Sequence, residues 1–145
     1  MKNDAANLDE NEIKHLEFIQ GVITRMGANS FQMKGWAITI FSALLALFAG
    51  SSGDSRQLFL FAAAIETIIF WFLDAYYLQQ ERKFRGVYDD VAGLSINKSV
   101  VRLFEMPIQR YTGGKYFYWR VFFSHSVVWL YASMIVLAIV GTFLL

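Results

Sequence analysis

The sequence predicts an all-α membrane protein: three transmembrane helices, an N-terminal amphipathic helix and a short helical cytoplasmic connection. Three observations carry that prediction. Hydrophobic residues make up 56% of the chain and aromatics 17%, more than the roughly 45–50% apolar share of a soluble domain. Three apolar runs, about 35–49, 57–78 and 121–144, are separated by polar segments, and about 20 apolar residues suffice to cross the hydrocarbon of a bilayer. Lysine and arginine are distributed very unevenly between those segments. A single proline and no cysteine fit long helices without disulfides or thiolate metal sites. At 145 residues one domain is expected, and a net charge of +1 gives no bulk argument for a nucleic-acid partner.

Residues 1–34 are expected to form a cytoplasmic amphipathic helix, running from about Leu8 to Met33. Ile13, Leu16, Ile19, Ile23 and Met26 recur at spacings of three and four, with Phe18 and Val22 widening the stripe, while His15, Glu17, Gln20, Thr24 and Arg25 lie off it. Asp9, Glu10 and Glu12 suit a helix N-terminus. They argue against strong attraction to anionic lipid, so self-association or a cap over the membrane end is favoured over a helix lying on the surface. The first thirty residues lack an uninterrupted apolar stretch and do not read as a cleaved signal peptide.

Residues 35–145 are expected to form the three-span membrane domain. Lys34 and Trp36 suit the interface at the start of the first span. Gly50 to Ser55 is a polar turn. The second span, Gln57–Leu78, is apolar and aromatic over 22 residues. Its helix is expected to continue out of the membrane to about Val91, because Phe84, Val87, Tyr88 and Val91 keep helical spacing, and to loosen at Gly93. In the cytoplasmic segment 79–120, Ser95 to Phe104 reads as a short helix capped by Ser95 or Asn97, Pro107 ends it, and Tyr111–Lys115 is a turn. The last helix is expected from about Tyr116 to Leu145, with an interfacial belt of Tyr116, Phe117, Tyr118, Trp119 and Arg120.

Of 13 lysines and arginines, four lie in the N-terminal segment, eight in 79–120, and Arg56 alone in the 50–57 turn. That bias predicts a multi-pass membrane protein with its N-terminus and the 79–120 segment cytoplasmic and the 50–57 turn and C-terminus outside.

The second span carries two carboxylates, Glu66 near its middle and Asp74 two turns on. A charged side chain at the centre of a membrane helix costs about 3 kcal/mol on insertion scales, so such residues are candidates for function. Asp74 lies about 12 Å nearer the cytoplasm than Glu66 and about 80° around the helix. One reading buries both in helix contacts; the other lines an aqueous path or oligomer axis with them. His125 enters the last span at the depth of Asp74 on an antiparallel helix, and the two are expected to approach each other, within or between subunits. Glu66 is expected nearest a permeation path, with Asp74 as a latch to a neighbouring helix.

Arg82, Lys83 and Arg85 form one basic cluster; Arg110, Tyr111, Lys115 and Tyr116 interleave charge with rings. Charge for phosphate and rings for bases are what a nucleotide ligand requires. The plainer reading is a positive-inside flank and an aromatic belt. Gly113-Gly114-Lys115 lacks the spacing of a phosphate-binding loop. Asn97-Lys98-Ser99 matches a glycosylation acceptor but falls on the cytoplasmic side. Two histidines 110 positions apart give no conventional zinc site, and Ser124-His125-Ser126 has no nucleophile-elbow surroundings. No catalytic residue, cofactor or metal is expected, so an enzyme is not.

The runs HLEFIQGVITRMGANSFQMKGWAITIFSALLALFA (residues 15–49) and LDAYYLQQERKFRGVYDDV (residues 73–91) resemble small bacterial membrane effectors of anti-phage defence, those of the Hailong system above all. The resemblance covers residues 15–92 and includes no diagnostic catalytic motif. It implies a homo-oligomeric channel in the lipid bilayer, closed at rest. Opening would follow binding of a nucleotide-derived ligand, a short oligodeoxyadenylate made by a partner nucleotidyltransferase, and collapse of the membrane potential would cause abortive infection. The alternative from another class is a non-conducting membrane scaffold or accessory subunit.

Overall fold

The computed structural model describes residues 10–95 and 100–143. Every regular element among them is helical: α1 (Glu10–Gly50), α2 (Asp54–Val91), α3 (Tyr118–Phe122) and α4 (His125–Phe143), with 3₁₀ turns at Ile108–Arg110 and Gly114–Tyr116. Three helices, α1, α2 and α4, are long and apolar enough to cross a membrane. The 41 residues of α1 extend about 62 Å at 1.5 Å per residue, about twice the hydrocarbon thickness. Half of α1 and the charged end of α2 therefore form an antiparallel stalk beyond the spans. Close pairs run in order along the hairpin: Ile19 and Ile23 with Val87, Gly27 beside Glu81, Lys34 with Asp74, and Phe41 in one cluster with Ala63.

Each part has its own core. In the membrane part, Ala37, Phe41, Ala63, Val127, Tyr131, Met134 and Ala138 are buried together. Alanine on all three helices lets their backbones approach, the usual basis of helix packing where lipid removes a hydrophobic drive. The buried α4 positions recur at spacings of four, three and four, one stripe of an α-helix. In the stalk, Ile19, Ile23 and Val87 are overlaid by Val101, Met106, Ile108 and Tyr111 from the connection.

α2 ends at Val91, as the spacing predicts. Gly93 adopts φ 72°, its N–H bonds Asp90 O at 3.3 Å, and the Leu94 N–H bonds Asp89 O at 2.8 Å. This is a left-handed helix termination, favoured by glycine because a Cβ is penalised there.

Three expected boundaries differ. No separate amphipathic helix precedes the first span: helix continues through Phe31–Trp36, and residues 1–9 of the expected 1–34 unit lie outside the described residues. The stripe that reads as amphipathic, Ile19, Val22 and Ile23, continues through Ser30 to Ala37 and Phe41 as one buried face, so nothing terminates the helix at the junction. The short helix expected over Ser95–Phe104 is not formed in its described part: Val100–Phe104 is irregular, and Phe104 has φ 62°, a left-handed conformation unusual for a bulky residue. Residues 96–99 lie outside the described residues. The last helix is broken at Phe123–Ser124. There the Trp71 indole donates to Phe122 O at 3.0 Å, the carbonyl that Ser126 N–H would use in an unbroken helix. Phe122 stacks on Trp71 with ring centroids 4.6 Å apart.

Candidate functional site

Asp74 is fully buried where α1 crosses α2. Ser30 Oγ donates to its Oδ1 at 2.5 Å, Lys34 Nζ donates to the same oxygen at 2.7 Å, and Lys34 Nζ lies 2.6 Å from Oδ2. Lys34 Nζ also donates to Ser30 Oγ at 3.1 Å. Ser30 and Lys34 are one helical turn apart, so a single face of α1 delivers both. The cluster is a latch between α1 and α2. Lys34 keeps 23% of its side chain exposed against 0% for Asp74. Its ammonium thus reaches a buried carboxylate while its stem stays partly open.

The Tyr131 hydroxyl on α4 is enclosed by protein without a well-formed hydrogen bond among the described residues. Its ring stacks on Trp71 at 5.9 Å. Glu66 is half-buried, and its Oε1 is enclosed by protein with no hydrogen-bond partner. Its Oε2 meets only the Thr67 hydroxyl, at 3.4 Å. That hydroxyl has one proton and a better acceptor in Ala63 O at 2.7 Å. The Glu66 carboxylate therefore has no firm partner among the described residues.

Within one protomer the expected approach of His125 to Asp74 is not the pairing formed. Asp74 bonds Ser30 and Lys34 of α1, while His125 is exposed and accepts from Trp129 Nε1 through its Nδ1 at 3.1 Å. Equal depth fixes a residue's height but leaves its direction around the helix open, and His125 sits two residues before Val127, where the buried stripe starts, on the opposite side of the helix.

On the stalk the candidate ligand residues are largely engaged in structure. Tyr111 donates to Asp90 Oδ2 at 2.7 Å, and Tyr111 and Tyr116 meet edge-to-face at 5.3 Å, both seated over Gly86. Lys115 Nζ lies 5.2 Å from the Tyr116 ring centroid, Arg85 pairs with Glu81 at 2.8 Å, and Arg110 pairs with Glu105 at 3.5 Å and donates to Val100 O at 3.0 Å. Arg82 is half-buried, and that burial lowers its guanidinium from the usual range, with Glu81 opposing. Lys83 forms no ion pair among the described residues. A second fastening holds the connection to α1, where the buried His15 places Nε2 3.2 Å from Glu105 O.

Burial first, and then the Asp90 carboxylate, push the Tyr111 hydroxyl well above its ordinary range, with Arg110 opposing. An unfolded tyrosine ionises near pH 10, so the contribution of Tyr111 is complete below about pH 10 and is lost as pH rises towards the higher folded value. Thermal melts across an alkaline series are expected to show a loss of stability beginning near pH 10. Tyr111→Phe is expected to remove that phase and to lower stability at pH 7 by about 1 kcal/mol through the missing hydrogen bond. Identical alkaline profiles for the two proteins would assign the phase elsewhere.

Three apolar helices, a continuous intramembrane core and a charged stalk give the chain the build of a helical, multi-pass membrane protein. No protein-family model, curated protein or solved structure matches it.

Proposed function

We propose that the chain is the subunit of a homo-oligomeric ion channel of the bacterial inner membrane, with its N-terminus cytoplasmic and its C-terminus periplasmic. The observation that carries this reading is Glu66, a carboxylate midway along a span whose Oε1 has no hydrogen-bond partner among the described residues. Intramembrane acids are costly and usually face a partner or a water-filled cavity. Glu66 is half-buried, and a rearrangement that opens the enclosed Oε1 lets a partner from outside the protomer, whether water, a passing cation or a neighbouring copy, complete the site. Three spans are too few to enclose a wide pore, so the path lies on a symmetry axis and an acidic lining selects cations.

Gating by a nucleotide-derived ligand such as a short oligodeoxyadenylate, and a role in anti-phage defence, rest on the resemblance to Hailong-type effectors. Arg82, Lys83 and Arg85 are the basic positions for such a ligand, and it opens the channel by binding the open arrangement more tightly than the closed one. The non-conducting scaffold is favoured by one observation, the Asp74 latch, which uses ionisable groups for helix association alone.

Purified protein reconstituted in planar bilayers, with and without oligodeoxyadenylate, separates the two. The channel reading expects a cation-selective current, and Glu66→Gln is expected to lower the cation preference severalfold while leaving expression and oligomer size unchanged. A monomer in detergent that passes no current under either condition overturns the channel.

A further inference from the structure

At the end of the spans opposite the stalk, the last turn of α1, the first turns of α2 and the last turns of α4 enclose a cleft of about 680 Å³. That is within the roughly 300–1,000 Å³ of ligand sites. Leu60 and Ala138 form its buried floor, while Phe61 and Ile139 stand 66% and 51% exposed as its walls. The cleft therefore opens sideways, along the face that the spans present to lipid.

The lining is graded. Arg56 and Gln57 on α2 and Thr142 on α4 lie at its outer end. Eight residues further along α2 the lining is Ala64, and seven back along α4 it is Ile135. The helices run in opposite directions, yet both pass from polar to apolar over about 10–12 Å towards the membrane centre. A head group followed by a hydrocarbon chain has the same profile.

Arg56 supplies the charge. It is the sole lysine or arginine between residues 35 and 81. Its guanidinium lies 4.6 Å from the centroid of the Phe48 ring, and its Nε is enclosed with no hydrogen-bond partner among the described residues. A guanidinium cannot shed its charge, and a buried donor without an acceptor is costly. An anionic oxygen at the mouth offsets the charge through the other guanidinium donors, and arginine suits phosphate because its donors bind in a fork.

We propose that this cleft is a binding site for an anionic phospholipid, its phosphate on Arg56 and one acyl chain along Leu60, Phe61, Ala64 and Ile139. The site rests on the membrane placement of the three spans and not on conduction, so it stands whether or not the protein passes current.

Native mass spectrometry of the full-length protein, released from nanodiscs of equal phosphatidylglycerol and phosphatidylcholine, tests it. Wild-type protein is expected to retain a phospholipid with about fivefold preference for phosphatidylglycerol, the size expected for one basic side chain. Arg56→Lys is expected to keep most of the preference and Arg56→Gln to lose it. Ala64→Phe, which fills the cleft, is expected to reduce retention of both lipids. Equal retention by wild type and Arg56→Gln overturns the site, as does displacement of the lipid by inorganic phosphate alone. Efficient disulfide cross-linking of Phe61→Cys between copies, with no retained lipid, assigns the cleft to a second copy and also overturns it. Tryptophan fluorescence of each variant identifies those that are folded, and Arg56→Lys keeps the comparison decisive if Ala64→Phe is not.

Discussion

Asp74→Ala is expected to destabilise the folded protein by about 3–5 kcal/mol, among the largest effects available to a single substitution in this chain. The magnitude follows from what remains. Lys34 keeps its charge and loses both carboxylate oxygens at 2.6–2.7 Å, and Ser30 loses its acceptor in a buried position. The 23% exposure of the Lys34 side chain gives the ammonium a route to the interface, which moves the expected cost towards the lower end. Asp74→Asn is expected to cost less, because its amide oxygen still accepts from Ser30 and only the ion pair is lost. Lys34→Met combined with Asp74→Leu is expected to be milder than the sum of the two single changes, since removing both charges leaves neither stranded. Denaturant titration in detergent followed by tryptophan fluorescence reads all five variants. Trp71 is three residues from Asp74 and stacks on Phe122 and Tyr131, so its emission reports the region directly. An Asp74→Ala midpoint equal to wild type would show that the latch adds nothing to stability.

The latch also marks what was legible in the sequence. That α2 is one helix from the membrane to Val91 follows from spacing alone, and so do its two acids. Their partners do not follow, because a helical repeat gives the face of one helix without saying which neighbour covers it. The useful signal was on α1. Ser30 falls in the stripe of Ile19, Ile23, Ala37 and Phe41, and a serine on an otherwise apolar buried face needs a polar partner. Lys34, one turn on, reads from sequence as a snorkelling interface residue, and that reading hides its role as the counter-ion. Tyr131 was not legible for a different reason: α4 is apolar all round, so no periodicity distinguishes its buried face. The break at Phe123 depends on an indole donated from residue 71, a contact 51 positions away. On the stalk, the rings of Tyr111 and Tyr116, legible as part of a ligand platform, pack the connection onto α2.

Gly86 is where that fastening is most exposed to a single atom. In an unpacked helix, Gly→Ala adds about 1 kcal/mol of stability. Here the new methyl would meet Tyr116 Oη at 2.5 Å and the Tyr111 ring at 2.7 and 2.8 Å, distances at which one of the rings must leave. Tyr111 is anchored by its bond to Asp90 and Tyr116 by its backbone, whose carbonyl accepts from Gln79 Nε2 at 2.8 Å. Neither ring yields without loosening the connection, so Gly86→Ala is expected to cost about 1–3 kcal/mol of overpacking, more than its gain in helix propensity. The damage should be local. Trypsin is expected to cut severalfold faster at Arg102, Arg110 and Lys115, while the membrane core around Tyr131 keeps its fluorescence. Gly21→Ala is the matched control, because a methyl there meets nothing within 4 Å and the substitution should stabilise or do nothing. Tyr116→Phe in the Gly86→Ala background removes the shortest of the three contacts and should restore part of the protection. Unchanged trypsin sensitivity in Gly86→Ala would mean that the two tyrosines are not what holds the connection down, and it would return them to the pool of rings available to a stacked ligand.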